Sequence, residues 1–462
     1  MKQELNLGGA NVYFEKFMKS WERNSEPRVC RQYICVFIVI HILLLSMLFG
    51  CRNPEFHSYP IEINIEKNIR NIKPLNIGDF NCDISYIPLK NNSILFRSIT
   101  LIDFSHDLIL VSDRKNCFLF DLQGNLISKI GNRGKGPGEY LLVTNIKFGL
   151  HNLIYIQNNL HLLAYDLKGN FQRKFKPEIN PEVGTYGGIM KSWAPFNDSL
   201  FIGQVSNDSG HEKHKAVFFN VDGKTVRSIR NHIFLNIEEP YTSSDNSLAF
   251  IYQLEGTIYF KEKMNDTVFL VDDQYEFKPV YFFYHGKYGM PMKERELPRN
   301  ERKKTYEDCI KIIGIYESTE YLFLNCDFHD HNPAKRSEPV LLPIEFGSNK
   351  YWWYYPTLML GIYNKLSKEL VFAEPVKSDN RLTNSGLRND YDGGPNFCPR
   401  KMVNDSTLAM WVDAYLLKEH VASDYFKNST PKHPEKKKEL EKLANSLSEN
   451  DNPVLILVTF KQ

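Results

Sequence analysis

Asp107-Leu-Ile-Leu-Val-Ser-Asp113 is followed by Phe118-Leu-Phe-Asp-Leu-Gln-Gly-Asn125, and the same pattern returns in Asn152-Leu-Ile-Tyr-Ile-Gln157 and Leu163-Ala-Tyr-Asp-Leu-Lys-Gly-Asn170. Each unit contains a short apolar strand, a second strand and an Asp-x-x-Gly-Asn turn. This turn chemistry reverses a strand tightly. The two stretches therefore predict repeated antiparallel β-structure.

The repeat has a period of 45 residues, the distance that separates Asp121 from Asp166 and Gly124 from Gly169. A further strand is predicted after each turn. Looser copies occur at Ser199 to Gly203, Val217 to Lys224, Thr257 to Phe260, Thr267 to Val271, Tyr321 to Asn325, Leu358 to Tyr363 and Thr407 to Val412. A period near 45 with several strands per unit is typical of a propeller blade, whereas a β-sandwich lacks the period and a β-helix repeats at shorter spacing. The prediction is an all-β, six-bladed β-propeller of four-stranded antiparallel blades.

The last apolar segment, Val454 to Phe460, predicts how the ring closes. It is almost wholly apolar and would be an aggregation-prone edge if it stayed unpaired. Closure of a propeller usually joins both ends of the chain in one blade, and Ile84 to Leu89 is the matching segment near the other end. We therefore expect the two segments to share the last blade.

One short helix is predicted near the C-terminus, between Pro434 and Glu449. Leu440, Leu443 and Leu447 follow one face, and lysines alternate with glutamates on the other. The helix would be an insertion before the final strand. The mixed charged stretch Met292 to Lys304 predicts a loop or a helix start and no function.

The N-terminal region predicts a lipoprotein signal. Leu48-Phe-Gly-Cys51 ends the apolar run Tyr33 to Phe49, and basic residues precede that run. Cleavage after Gly50 would leave Cys51 as a lipidated N-terminus, with Met18 as an alternative start. The predicted organisation is a signal peptide over 1–50, a lipidated tether over 51–60 and the propeller over 61–462. The alternative is an uncleaved membrane helix, because about 17 apolar residues are close to the minimum that spans a bilayer.

The composition excludes some functions. The formal net charge is +2, from 57 basic and 55 acidic residues, so no nucleic-acid partner is predicted. An aromatic content of 13% favours strands. Five cysteines remain after processing, an odd number without zinc-type spacing, and burial as small hydrophobic residues is predicted, with one disulfide as an alternative. They are Cys82, Cys117, Cys309, Cys326 and Cys398.

A glycine-rich segment, Ile130-Gly-Asn-Arg-Gly-Lys-Gly-Pro-Gly-Glu-Tyr140, follows the first repeat. Four glycines and a proline fit a tight turn between blades. A phosphate-binding loop would need Gly-Lys-Ser/Thr at the start of a helix, whereas Pro137 follows Gly136. Phosphate binding is therefore not predicted.

With this segment, the chain resembles the six-bladed β-propeller lipoproteins of the Bacteroidetes, which are NHL- or TolB-like propellers of mostly unassigned function. The resemblance covers the mature chain almost end to end. It rests also on Asp83 to Leu89, Asn265 to Phe269, Asn389 to Phe397 and Asp451 to Leu455. The resemblance implies an outer-membrane lipid anchor, facing the periplasm or the cell surface. Two features depart from the pattern: Cys398 stands where a large aromatic residue is expected, and Leu322 to Thr357 is expanded.

Two glycine-rich loops are the candidate mouth of the propeller channel. Each precedes a new blade strand and carries carboxylates, a position from which loops converge on the axis. The alternative is purely structural, because Gly138, Gly393 and Gly394 suit tight turns whatever the protein binds. The candidate residues are Arg133, Lys135, Glu139, Tyr140, Asn389, Asp390, Asp392 and Phe397.

An aromatic run supplies the second candidate site. Trp352, Trp353 and Tyr354 lie in Tyr351-Trp-Trp-Tyr-Tyr-Pro356, and exposed neighbouring aromatics form stacking platforms for sugars or hot spots for proteins. The alternative is that these aromatics pack between blades, with alternate members outward.

No catalytic constellation is predicted. The serine-hydrolase elbow is absent, and His329-Asp-His331 lacks a third ligand, so neither metal nor cofactor is expected. The main hypothesis is a ligand-binding or protein-interaction module whose partners are the bilayer and a glycan, a peptide or a membrane protein. The alternative is a carbohydrate-active or other hydrolytic enzyme with carboxylates at the propeller mouth.

Overall fold

The computed structural model describes most of the chain from Pro60 to Lys461. The described residues are 60–90, 94–96, 98–179, 190–207, 210–236, 249–262, 265–297, 301–304, 308–333, 358–375 and 386–461, together with the backbone of 340–346 and 349–354. The predicted signal peptide and Cys51 lie outside them. No helix in these ranges is long and apolar enough to cross a membrane.

Six sheets form the blades, which confirms the predicted six-bladed propeller. Strands follow one another from the inside of the ring outward. Blade 1 contains Leu101–Ser105, Leu108–Ser112, Cys117–Asp121 and Leu126–Lys129. Blade 2 contains Asn145–Phe148, Ile154–Asn158, His161–Tyr165 and Phe171–Phe175. Blade 3 contains Met190–Pro195, Leu200–Val205, His214–Asn220 and Thr225–Arg230. Blade 4 contains Ala249–Leu254, Thr257–Glu262, Thr267–Val271 and Phe277–Tyr284. Blade 5 contains Lys311–Glu317, Tyr321–Asp327, Leu358–Asn364 and Leu370–Ala373. Blade 6 contains Lys401–Asn404, Thr407–Val412, Val454–Phe460 and Cys82–Pro88.

The repeated turn lies between the third and the outer strand of a blade. Asp121 Oδ1 accepts hydrogen bonds from the backbone N–H groups of Gln123 and Asn125, at 2.9 and 2.8 Å. The same two bonds form at Asp166, at Asn220 and at Asp272 in the next three blades. An acceptor side chain at this position replaces backbone bonds that a tight turn leaves unmade.

Blade 6 closes the ring with both ends of the chain. Val454–Phe460 pairs antiparallel with Thr407–Val412 on one side and with Cys82–Pro88 on the other. Leu455, Ile456 and Val458 in this strand are buried. The predicted closing strand and its N-terminal partner are therefore confirmed.

Blades 4 and 5 each carry a fifth strand that the sequence analysis did not predict. Ile61–Asn64 pairs parallel with the outer strand of blade 4, and Ile72–Lys73 pairs parallel with the outer strand of blade 5. The short helix Ile65–Asn68 joins them. The N-terminal segment thus covers two outer edges, whose unpaired backbone groups would otherwise face solvent, before it enters blade 6.

The predicted C-terminal helix is present as Pro434–Ser446. Two further helices, Ala414–Ala422 and Asp424–Asn428, precede it in the same insertion. Leu417, Phe426 and Leu440 from these helices are buried in one cluster with strands of blade 6. Elsewhere, Met292–Glu296 forms the helix start foreseen in the charged stretch. Among the described residues, four short turns are 3-10 helical: Ile77–Asp79, Leu150–Asn152, Gly286–Tyr288 and His329–His331.

The cores lie between neighbouring blades. Tyr155 of blade 2, for example, packs its ring against Trp193 and Phe201 of blade 3, with centroids at 6.4 and 4.9 Å. The five cysteines form no disulfide with one another; four are buried, as predicted, and Cys398 is half-buried. Cys398 donates to Asn325 Oδ1 at 3.4 Å, a contact that a large aromatic residue at this position would not make.

Candidate functional site

A cavity of about 1130 Å³ occupies the centre of the ring. The innermost strands of all six blades contribute to its wall, so the cavity is the propeller channel. Its volume slightly exceeds the range of roughly 300–1,000 Å³ that small-molecule sites occupy. The channel is therefore the main candidate binding site.

Three charged residues from three different blades meet in the channel wall. Asp103 of blade 1 lies between Lys401 of blade 6 and Lys147 of blade 2, with Oδ1–Nζ distances of 2.6 and 3.4 Å. Its other oxygen, Oδ2, accepts the backbone N–H of Phe148 at 3.0 Å. This Lys–Asp–Lys cluster links the blade that closes the ring to its two successors.

The cluster carries more positive than negative charge. Burial alone would raise the pKa of Asp103, but the charges of Lys147 and Lys401 outweigh it, and the pKa falls below its usual value. Burial lowers the pKa of Lys147, which lies farther from the carboxylate and is repelled by Lys401. Burial would also lower the pKa of Lys401, but the close contact with Asp103 outweighs burial and raises the pKa of Lys401. Asp103 is therefore ionised at neutral pH.

The rest of the channel wall combines polar and aromatic groups. Tyr252 donates its hydroxyl hydrogen to Glu317 Oε2 at 2.6 Å, and the guanidinium of Arg400 lies 5.1 Å from the ring centroid of Trp411. Ile313 is an exposed apolar side chain in the wall, with 43% of its surface accessible. Such a surface offers hydrogen-bond donors, acceptors and stacking faces together.

The first predicted mouth loop, residues 133–140, does not contribute to the wall of this cavity. Arg133 and Lys135 are exposed, while Glu139 Oε2 accepts the backbone N–H of Gly136 within the loop, at 2.8 Å. Tyr140 is buried and donates its hydroxyl hydrogen to the carbonyl of Ile130 at 2.9 Å. These contacts stabilise the turn between blades 1 and 2. Such a role corresponds to the purely structural alternative for this loop.

The second predicted mouth loop, residues 389–397, is also absent from the cavity wall. Asp392 is buried and accepts the hydroxyl hydrogen of Tyr86 at 3.0 Å; burial raises its pKa. Asp390 accepts the backbone N–H of Gly78 at 2.7 Å and pairs with Lys432 at 2.9 Å.

Two further members of this loop are buried. Asn389 accepts the backbone N–H groups of two of its own neighbours, at 3.2 and 3.1 Å, and Phe397 has no accessible surface. The loop therefore joins the outer strand of blade 6, the N-terminal segment and the C-terminal insertion. Whether either loop binds a ligand stays a prediction.

The aromatic run lies outside the six blades. Trp352, Trp353 and Tyr354 belong to the strand Asn349–Tyr354, which pairs with Val340–Phe346 in a separate two-stranded hairpin. This hairpin is inserted between the second and third strands of blade 5, which accounts for the expanded stretch. The side chains of the hairpin lie outside the described residues, so the platform stays a prediction.

The close histidine pair does not converge. His329 Nε2 lies 3.2 Å from Asp327 Oδ2, whereas His331 Nε2 lies 3.2 Å from the carbonyl of Asp308. Among the described residues, no group of three or more histidine, cysteine or acidic side chains is placed to hold a metal ion.

Sequence reasoning missed the channel residues because it missed the innermost strands. The repeat was recognised from the second, third and outer strands, whose apolar patterns are stronger. Leu101–Ser105 and Asn145–Phe148 contain Asp103 and Lys147, which interrupt the apolar pattern because they face the channel. A charged residue inside a short strand directly before each of the two exact repeats was the available signal.

The fold and the cavity together define a β-propeller with a channel of ligand size. By sequence, the chain belongs to the family described as a domain of unknown function, DUF4934, whose model matches residues 60–459. No curated protein matches the chain.

The chain is similar to several solved structures, one of which shares its fold at a TM-score above 0.5. A protein of Bacteroides fragilis NCTC 9343, whose name calls it exported, matches with a TM-score of 0.61 and 15% identity over 87% of this chain and 100% of its own. A DUF4221 family member from Bacteroides vulgatus matches with a TM-score of 0.39 and 12% identity, over 82% and 96% of the two chains. Virginiamycin B lyase from Staphylococcus aureus reaches a TM-score of 0.35 and 11% identity, over 64% and 90%. At such identities, the match to the exported protein establishes a shared fold.

Proposed function

We propose that this protein is an exported, lipid-anchored propeller that binds a glycan or a peptide in its central channel. The cytoplasmic membrane is crossed during export, Cys51 carries the lipid, and the propeller stays at the outer membrane. The observation that carries the binding role is the channel wall, in which charged, polar and aromatic groups surround about 1130 Å³.

Export is supported by two features. Leu48-Phe-Gly-Cys51 follows an apolar run with basic residues before it. The Bacteroides fragilis protein with the same fold is named as exported.

Binding in the channel is supported by the distribution of charge. Lys147, Lys401 and Arg400 lie on the inner strands or next to them, and Asp103 is the carboxylate partner of the two lysines. Asp198 and Asp405 line the cavity from turns that follow inner strands. A wall with separate cationic and acidic parts suits a ligand that presents both donors and acceptors, as sugars and peptides do.

The hydrolytic alternative gains no support from the predicted carboxylates. Glu139 is engaged with the backbone of its own loop, and Asp392 with Tyr86 and Gly394. The two loops belong to different blade junctions, between blades 1 and 2 and between blades 5 and 6. A pair of carboxylates that share one glycosidic bond needs a separation below roughly 10 Å on a common ligand.

The test is a glycan and peptide array probed with the full chain extracted from membranes in detergent. Saturable binding to one glycan or peptide class is the expected result. An array without any binding, combined with a pull-down that recovers a membrane-protein complex, would replace the ligand-binding role with a scaffold role.

A further inference from the structure

A second cavity, of about 500 Å³, lies at the outside of the ring between blades 3 and 4. Its wall comes from the third and outer strands of blade 3 and from the second, third and outer strands of blade 4, and it shares no residue with the channel. Ile61–Asn64, which covers the outer edge of blade 4, pairs with the side of the outer strand that faces away from the third strand. Because this rim cleft and the channel share no residue, the cleft is independent of the channel site.

The rim cleft contains a buried lysine, Lys215, to which the described residues offer no hydrogen-bond partner. Lys215 is only 5% exposed, and its Nζ lies 4.2 and 4.5 Å from the ring centroids of Phe269 and Phe277. In the described part of the chain, no hydrogen bond or ion pair reaches this ammonium. Aromatic faces attract a cation, but they leave its three hydrogen-bond donors unused.

The surrounding charges add to that of Lys215. Arg227 and Arg230 are exposed on the outer strand of blade 3 and line the same cleft, as does His232. Glu262 and Glu276 oppose them there. Burial raises the pKa of Glu262, and the nearby charge of Lys215 acts in the opposite direction.

A buried ammonium that lacks a hydrogen-bonded partner costs free energy, and an anion that enters the cleft removes that cost. The aromatic rings beside the ammonium favour an apolar body next to the acidic group. We propose that the rim cleft binds an organic anion, with a carboxylate or phosphate against Lys215 and an apolar or aromatic body against Phe269 and Phe277. This site goes beyond the channel-binding role and does not depend on it.

The test is isothermal titration of the full chain in detergent with three probes: phenylacetate, phenyl phosphate and the uncharged benzyl alcohol. At least one of the two anions should bind, and benzyl alcohol should bind much more weakly. Lys215→Met keeps the length and apolar stem of the side chain, and should weaken anion binding about ten- to a hundredfold. Arg230→Gln, at an exposed position that cannot unfold the blade, should also weaken it.

Two controls make the result specific. Lys224→Met removes an exposed lysine of the same blade outside the cleft and should bind like the wild type. Ile313→Trp, which narrows the channel, should also leave anion binding unchanged. Binding by phenylacetate alone or by phenyl phosphate alone would assign the cleft to carboxylates or to phosphate esters. The proposal is overturned if neither anion binds, if benzyl alcohol binds equally well, or if Lys215→Met and Arg230→Gln both bind like the wild type.

Discussion

The backbone N–H of Lys90, directly after the closing blade, donates a hydrogen bond of 2.8 Å to the carbonyl of Gly124 in the turn of blade 1. The same contact recurs from Gly131 to Gly169, at 3.3 Å, and from Glu178 to Gly223, at 2.7 Å. Each joins the end of one outer strand to the turn of the next blade. The junction that closes the ring is thus built like the ordinary junctions that follow it.

The glycine in this turn has no room for a side chain. A Cβ atom at Gly124 would lie 2.0 Å from the carbonyl oxygen of Pro88, and its φ is +73°. Gly124→Ala should therefore lower the free energy of unfolding by more than the roughly 1 kcal/mol that a positive φ alone costs alanine. Urea denaturation measures the loss.

The matched control is Gly256→Ala, at a φ of +77° with no atom within 4 Å of the added Cβ. It should show the cost of the backbone conformation alone, about 1 kcal/mol. Equal losses in the two variants would show that the junction between Pro88 and Gly124 has room for a side chain, which would contradict this packing of the closing junction.

Deletion of residues 453–462 should abolish cooperative unfolding of the whole domain. Val454–Phe460 is a central strand of blade 6, and its removal exposes the facing edges of Thr407–Val412 and Cys82–Pro88. Differential scanning calorimetry of the truncated chain measures the transition. A melting transition like that of the intact chain would contradict this topology.

Much of this architecture follows from local sequence patterns. The turn residues Asp121 and Asp166 and the apolar closing strand predict blades and closure, because each pattern depends only on neighbouring residues. The parallel strands Ile61–Asn64 and Ile72–Lys73 were not predictable in this way, since their partners lie more than 200 residues away. The helix Ala414–Ala422 was also missed, because the pattern of its short sequence does not distinguish a helix from a strand.

The candidate site was predicted less well for a related reason. Glycine-rich loops are conspicuous in a sequence, but the acidic side chains of Glu139 and Asp392 satisfy backbone and hydroxyl donors nearby. The channel residues Asp103 and Lys401 are separated by almost 300 positions, and only ring closure brings them to 2.6 Å. Pairs of this kind become visible once the blade order is known.

Asp103→Asn should destabilise the protein at neutral pH by roughly 3–5 kcal/mol, because it leaves Lys147 and Lys401 half-buried without their carboxylate. The folded pKa of Asp103 lies below its usual value of 3.8. The stabilisation is therefore present above about pH 4 and is lost as the pH falls through the folded pKa. The unfolding free energies of variant and wild type should converge in that acid range.

Asp83→Asn is the control for an exposed ion pair, since Asp83 meets Lys461 at 2.9 Å with both side chains more than half accessible. Its loss at neutral pH should stay within about 1 kcal/mol. A loss for Asp103→Asn as small as this would show that the channel cluster is not a stabilising element.

Cys51→Ala should block lipid attachment and signal cleavage. The predicted lipoprotein signal requires the Cys51 thiol, and a bilayer anchor derives from the acyl chains that it receives. Metabolic labelling with a fatty acid, followed by membrane fractionation, measures both effects. A variant that keeps its full length and its normal membrane retention would favour an uncleaved membrane helix.

The most direct test of ligand binding in the channel compares dissociation constants for the glycan or peptide that the array identifies. Ile313→Trp places a large ring in the channel wall and should raise the dissociation constant at least about tenfold. Leu366→Trp adds the same ring at a 93% exposed position of the same blade, outside the channel, and should bind like the wild type. Equal affinity in all three proteins would contradict a ligand site in the channel.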